Sequence, residues 1–220
     1  MNPKLLLLIF IYFLVGSALA DTQLIETTGI YKTIDITVAK NATQILANGV
    51  SEDKQKIIAD VLTSPEKYSP PVLYAVSNEF AKNNQLDEAL FWFYAAQLRA
   101  SGDAKISADP TSASGVMLLN SSMNANTRKH QFTIVDKLEV IVDSAVSWDI
   151  KTLRKYDHRW INLYGSKAMR NARFGEPAPT ELSIPEAEWG TTLTKTRDEW
   201  HQGFIRALPM IKNAASKNNN

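Results

Sequence analysis

YSPPVLYAVSNEFAKNNQLDEALFWFYAAQLRASG, residues 68–102, decides the fold class. Pro70 and Pro71 suit the first turn of a helix, where the N–H that proline lacks would have no partner anyway. Ser69 before them is a candidate N-cap. Leu73, Val76 and Phe80 recur at helical spacing, so one face of this first helix is apolar. Lys82, Asn83, Asn84 and Gln85 break the pattern and make a short polar turn. Asp87 and Glu88 then place negative charge at the start of a second helix, where the helix dipole favours it. Along that helix Ala89, Phe93, Ala96 and Ala100 form one stripe, and Leu90, Tyr94 and Leu98 form the next. Small residues permit close approach and large ones fill the gaps. Arg99 suits the negative end of the dipole, and Gly102 offers a left-handed stop. The segment is therefore an antiparallel helical hairpin.

Working outward, residues 51–62 read as a helix capped by Ser51, with Ile57, Ile58, Val61 and Leu62 on its buried face. Residues 21–50 are the least helical part. Ile30, Ile34, Ile36 and Val38 alternate as in a strand, although residues 39–47 suit a helix equally well. Asp109-Pro110 starts another helix, and NSSMNANT, residues 120–127, reads as a polar loop. Phe132, Val135, Leu138, Val142, Ala145 and Trp148 recur in steps of three and four, which predicts one long amphipathic helix over 131–148. Asp149 is expected to cap the next helix, where Leu153, Tyr156, Trp160 and Tyr164 share a face up to Gly165. Pro177, Pro179 and Pro185 mark a linker over 173–190. A last helix follows over 191–214, with Pro209 expected to kink or end it. The class is mostly α, a helical domain built from antiparallel αα-hairpins with a short extended or β N-terminal segment.

Residues 1–20 have the pattern of a secretory leader. Lys4 precedes an apolar run of about a dozen residues, and Ala18-Leu19-Ala20 is an A-x-A cleavage site. The run is shorter than the ~20 residues a membrane span needs. The sequence therefore predicts export to a periplasm or beyond, without a stable membrane anchor after cleavage at Ala20-Asp21. The chain has no cysteine, so neither a disulfide nor a thiol nucleophile is available. Removing Lys4 with the leader leaves 23 basic against 23 acidic side chains. That balance argues against nucleic acid or an anionic membrane as the main partner, since both call for a basic excess.

The hairpin resembles one unit of the tetratricopeptide and Sel1-like repeats through Ala81, Ala89, Trp92, Phe93 and Ala96. It covers roughly one repeat of about 35 residues. No second copy follows at a fixed period, and the usual glycines of the first repeat helix are missing. Two segments, FWFYAAQLRA at 91–100 and WDIKTLRKYDHRWINLYG at 148–165, together resemble a group of exported bacterial proteins of unassigned function. That group is similar to immunity proteins, which neutralise toxins delivered into the periplasm. The resemblance implies a protein ligand bound on a helical surface, with such a toxin as one candidate.

Catalytic motifs are absent. His130, His158 and His201 fall in no H-E-x-x-H, and there is no G-x-S-x-G elbow. No residue is assigned a catalytic role, no metal site is spaced in the sequence, and no cofactor is called for. Trp92, Trp148, Trp160 and Trp200 fall on or beside apolar stripes, as core aromatics do. The candidate contact set for a partner is Glu88, Arg99, Asp157, His158, Arg159 and Asn162, with aromatic anchors and arginine supplying affinity. His158 and Asn162 would lie one turn apart on a helix. Two other readings stay open: a cell-wall hydrolase using a carboxylate pair assembled by the fold, such as Glu88 with Asp157, and a structural envelope protein.

Overall fold

A computed structural model describes residues 28–218. Residues 1–20, expected to be a leader, lie outside the described residues. The α-helices are α1 (Thr37–Asn48), α2 (Ser51–Thr63), α3 (Pro70–Lys82), α4 (Leu86–Ile106), α5 (Ala113–Ser121), α6 (Ala125–Thr133), α7 (Val135–Lys151), α8 (Ser166–Phe174) and α9 (Trp189–Asn218). Short 3-10 helices punctuate them, and among the described residues there is no strand beyond one isolated bridge between Ser107 and Ser183.

The hairpin is the centre of the fold. Three residues, 83–85, connect α3 to α4, and Asn84 adopts a positive φ of 59° there, a conformation asparagine tolerates better than most side chains. α4 is buried on nearly every side, with α3, α5, α6, α7 and α9 packed against it. Its Leu90, Ala95, Ala96 and Ala100 are fully covered. Burying a leucine side chain in this way contributes on the order of 1.5–3 kcal/mol. Tyr94 meets both Phe93 and Phe204, and Trp92 meets Trp148, all edge to face. The tryptophans are thus packed in and around the core.

Several expectations need correction, each for an identifiable reason. Residues 37–48 form α1, and a 3-10 turn at Gly29–Thr33 precedes it, so the N-terminal segment is not a strand where it is described. Ile34 is buried with Tyr31 and Leu182 while Val38 is exposed, so the alternation marks no sheet face. Ala42 and Leu46, four apart, make the buried stripe instead. Ser69 occupies the N-cap position, but its hydroxyl makes no capping bond and is buried without a partner. Ser51 is the first residue of α2, behind Val50 at its N-cap. Gly102 does not stop α4, which runs a further turn to Ile106. A Cβ at Gly102 would stand 2.9 Å from Leu193 and 3.0 Å from the Arg154 guanidinium, so the glycine makes room for neighbours.

The long helix expected over 131–148 is broken at Ile134 into α6 and α7. The Thr133 hydroxyl bonds to the His130 carbonyl at 2.8 Å, in competition with the backbone ladder. Asp149 caps nothing; it lies inside α7 and is buried. The helix expected after it is a loop over 152–157 and then a 3-10 helix, His158–Tyr164. α9 continues past Pro209 to Asn218. The proline-rich stretch is pinned to the body: the Ala108 N–H donates to the Leu182 carbonyl (3.1 Å), and the Ile184 N–H donates to the Ile106 carbonyl (2.9 Å). Leu182 is buried beneath it against Tyr31, Ile34 and Ala168.

Candidate functional site

Two polar clusters flank the C-terminal end of α4. The first is sealed. Arg99 and Asp103 stand four residues apart on α4, on one face. Arg99 is fully buried and donates through Nε to Asp149 (3.0 Å) and through Nη2 to the Thr152 carbonyl (2.6 Å). Arg154 reaches back from the loop to Asp103 (2.8 Å), to Asp149 (3.1 Å) and to the Arg99 carbonyl (3.1 Å). Arg197 of α9 closes on Asp149 with Nε at 3.0 Å and Nη2 at 2.9 Å. Trp160 Nε1 (2.7 Å) and the Tyr156 hydroxyl (3.1 Å) complete the shell of Asp103. Three guanidinium groups therefore share two carboxylates. The Nη1 of Arg99 has no hydrogen-bond partner, and its guanidinium carbon lies 4.3 Å from the centre of the Trp148 ring, whose negative face receives the spare charge. Burial pushes the Asp103 carboxyl up, while Arg154, Trp160 and Tyr156 act to bring it down. Burial also opposes the charge on Arg154, but the acidic groups around it, Tyr156, Asp103 and Asp149, hold its pKa above the ordinary value.

The second cluster is an open groove of about 690 Å³ between the 3-10 helix His158–Tyr164 and the pinned strap before α9. His158 and Arg159 form one wall. Ser183 and Trp189 form the other, Ile30 lies at one side, and Glu181 and Glu186 stand on the exposed rim. The wall is shaped by Asp157, which caps the 3-10 helix by accepting from the Arg159 N–H at 3.0 Å. It also accepts from Arg159 Nε (2.8 Å) and Nη2 (2.7 Å) and from the Asp35 N–H (2.9 Å). Burial works to raise the Asp157 pKa, but these hydrogen bonds outweigh it and hold the carboxyl below its ordinary value. Arg159 is anchored further by the Thr33 carbonyl at 2.8 Å. His158 Nε2 lies 2.8 Å from the Ser183 hydroxyl, and its ring meets Trp189 edge-on, with centres 4.4 Å apart. Burial depresses the His158 pKa below its ordinary value, which favours the neutral imidazole.

Of the expected contact residues, this groove brings together His158 and Arg159, with Asp157 behind them. Asn162 is buried; it accepts from the Ser107 hydroxyl (2.8 Å) and donates to the Arg159 carbonyl (3.1 Å). Arg99 is sealed in the core, and a buried guanidinium presents nothing to a partner. Glu88 is exposed in the first turn of α4. It stands 15 residues along that helix from Asp103, roughly 22 Å at the helical rise. Asp157, one short turn from Trp160, belongs to the Asp103 end. The fold therefore does not assemble Glu88 with Asp157.

Ser183, Trp189 and Ile30 were not legible as site residues. Ser183 and Trp189 sat in or beside the stretch read as a linker, and nothing in their spacing points to a histidine 25 residues earlier. Among the described residues no group of acidic and histidine side chains has the geometry to hold a metal ion, and no helix is long and apolar enough to cross a membrane. Comparison of the chain with protein-family models finds no match, and neither does comparison with curated proteins or with solved structures.

Proposed function

We propose that this is an exported protein-binding protein, immunity-like or adaptor in character, which takes a protein ligand into the groove beside His158–Tyr164. The observation that supports the reading is the composition of the groove: Arg159, His158 and Trp189 converge on one concave surface. Tryptophan and arginine are enriched among the few residues that carry most of the energy of protein interfaces. Arg159 is held by Asp157 and the Thr33 carbonyl, and Trp189 Nε1 donates to the Ile184 carbonyl, so less conformational freedom is lost on binding. The acidic rim of Glu181 and Glu186 favours a ligand segment with a basic or neutral approach. If the ligand is a toxin, the mechanism is occlusion of its active site, and no cofactor enters.

The test is capture. The full-length protein, purified as its cell processes it, is immobilised and exposed to extracts of its own cells and of competing strains. One stoichiometric protein, lost with Trp189→Ala and Arg159→Ala but retained with Glu88→Ala, supports the groove as the contact surface. Capture indifferent to both groove substitutions removes the groove from the reading. Absence of any partner removes the binding function.

A further inference from the structure

The geometry points to a second capacity of the groove: we propose that Ser183 and His158 form a nucleophile–base dyad that hydrolyses small neutral carboxylic esters. The observation is the 2.8 Å contact between Ser183 Oγ and His158 Nε2 at an open cavity, within the distance that lets a histidine take a hydroxyl proton.

The backbone explains why the two side chains meet. Ser107 and Ser183 oppose each other in the isolated antiparallel bridge. The bridge bonds run through the residues on either side, Ala108 to Leu182 and Ile184 to Ile106, so the two serines are a non-hydrogen-bonded pair with side chains on one face. That face looks onto the 3-10 helix. Ser107 bonds to Asn162, and Ser183 bonds to His158, four residues earlier. Ser183 is thus clamped from both sides along its backbone while its hydroxyl fronts the groove. In this pattern its own N–H and carbonyl point away from Ser107, and neither makes a backbone hydrogen bond among the described residues. The free N–H is the donor nearest in sequence for the oxyanion that develops on the substrate's carbonyl oxygen when Oγ attacks, the role backbone amides fill in acyl transfer. No side chain bonds Nδ1 of His158 among the described residues, so the pair is a dyad, with the ring oriented by Trp189 and by the buried wall.

The chemistry balances without a co-reactant other than water. Oγ forms a bond to the ester carbonyl carbon as its proton passes to Nε2. The tetrahedral species collapses, the bond to the alcohol oxygen breaks, and that oxygen takes the proton from Nε2. A water molecule, giving its proton to Nε2, then attacks the acyl–serine ester. The carboxylic acid leaves, and Oγ regains its hydrogen. The substrate class follows from the walls. Trp189, Ile30 and Pro185 offer apolar surface for an acyl chain, and Glu181 and Glu186 on the rim disfavour an anion. The positive charge of Arg159 is already matched by Asp157.

The test uses the unmodified full-length protein and a fluorophosphonate probe, which phosphonylates only activated serines, with the adduct located by peptide mass spectrometry. The expected result is an adduct on Ser183, absent in Ser183→Ala and formed at least tenfold more slowly in His158→Gln, together with hydrolysis of p-nitrophenyl butyrate that follows the same order. The labelling rate should fall as His158 is protonated, at a pH below 6.5. The charged groups that bear on this titration are Asp157, which raises it, and Arg159 and Arg154, which lower it. No adduct on Ser183 in the wild-type protein overturns the dyad, as does labelling undiminished in His158→Gln at an unchanged melting temperature. Partner capture needs no Ser183 hydroxyl, so failure here leaves the binding reading standing, and loss of capture leaves the dyad standing.

Discussion

The sealed network and the open groove sit a few residues apart and are built from the same chemistry, yet they do opposite work. In the network every carboxylate oxygen is claimed by a donor from another element: α4, the loop over 152–157, the 3-10 helix and α9 all meet there. In the groove the partners are fewer, the side chains are half-exposed, and one hydroxyl faces one imidazole. Charge density therefore marks the keystone of the fold, whereas the place open to a ligand is marked by incomplete enclosure. Removing one partner from a buried ion cluster leaves the others desolvated and unmatched, which costs far more than removing an exposed pair.

This contrast can be broken by substitution, and the largest effect should come from the network. Asp149→Ala strips the carboxylate from three guanidinium groups and is expected to cost about 3–5 kcal/mol, read from urea unfolding. A loss below about 1 kcal/mol would mean that Arg99 and its neighbours are solvated and that the cluster is no keystone. Gly102→Ala should come next. The added Cβ presses on Leu193 and Arg154, and overpacking of this kind costs roughly 1–3 kcal/mol, offset in part by about 1 kcal/mol of better helix propensity. A gain in melting temperature would show that Arg154 has room to shift.

The groove should respond more weakly, and to pH. His158 has a folded pKa below 6.5, so the unfolded chain binds its proton first as the solution is acidified. Stability should therefore fall as pH drops from 6.5 towards the folded pKa, and His158→Gln should remove that portion of the slope. An unchanged slope in thermal melts of the variant would place the acid sensitivity elsewhere. Asp157 acts in the adjoining range with the usual carboxylate sign: its contribution is present above 3.8 and is lost as pH falls through its lower folded value. The smallest effect on stability is expected for Arg159→Ala, under about 1 kcal/mol, because its pair with Asp157 is partly exposed and screened. Capture of a ligand should weaken all the same. A collapse of stability would assign Arg159 to the fold and not to the site.

The hairpin was legible because local periodicity and turn chemistry agree within 35 residues: Pro70 starts α3, and Leu90 and Phe93 face inward as their spacing requires. The sealed network was not legible, because Arg99 and Asp149 are 50 residues apart, and either alone reads as a helix-end charge. Asp149 has the sequence signature of a cap, an aspartate before an apolar run; only the fold reveals that the run is a loop held by Arg154. Gly102 has the composition of a helix stop and the job of a spacer, a difference that rests on the bulk of Leu193 and Arg154 beside it. At the candidate site His158 and Arg159 stood out by density of polar and aromatic residues. Ser183 did not, since a serine among prolines carries no periodic signal.

The position of Arg197 has a consequence for how the chain is made. Asp149 leaves the ribosome 48 residues before the side chain that completes its coordination. α9, with its 30 residues, also supplies Trp200 and Phe204 to the surface of α4. Until it emerges, the hairpin has a bare flank and Asp149 has an oxygen without its arginine. The domain is thus locked from its C-terminal end, and a chain truncated ahead of α9 should be cleared by proteases, not persist as a smaller folded unit.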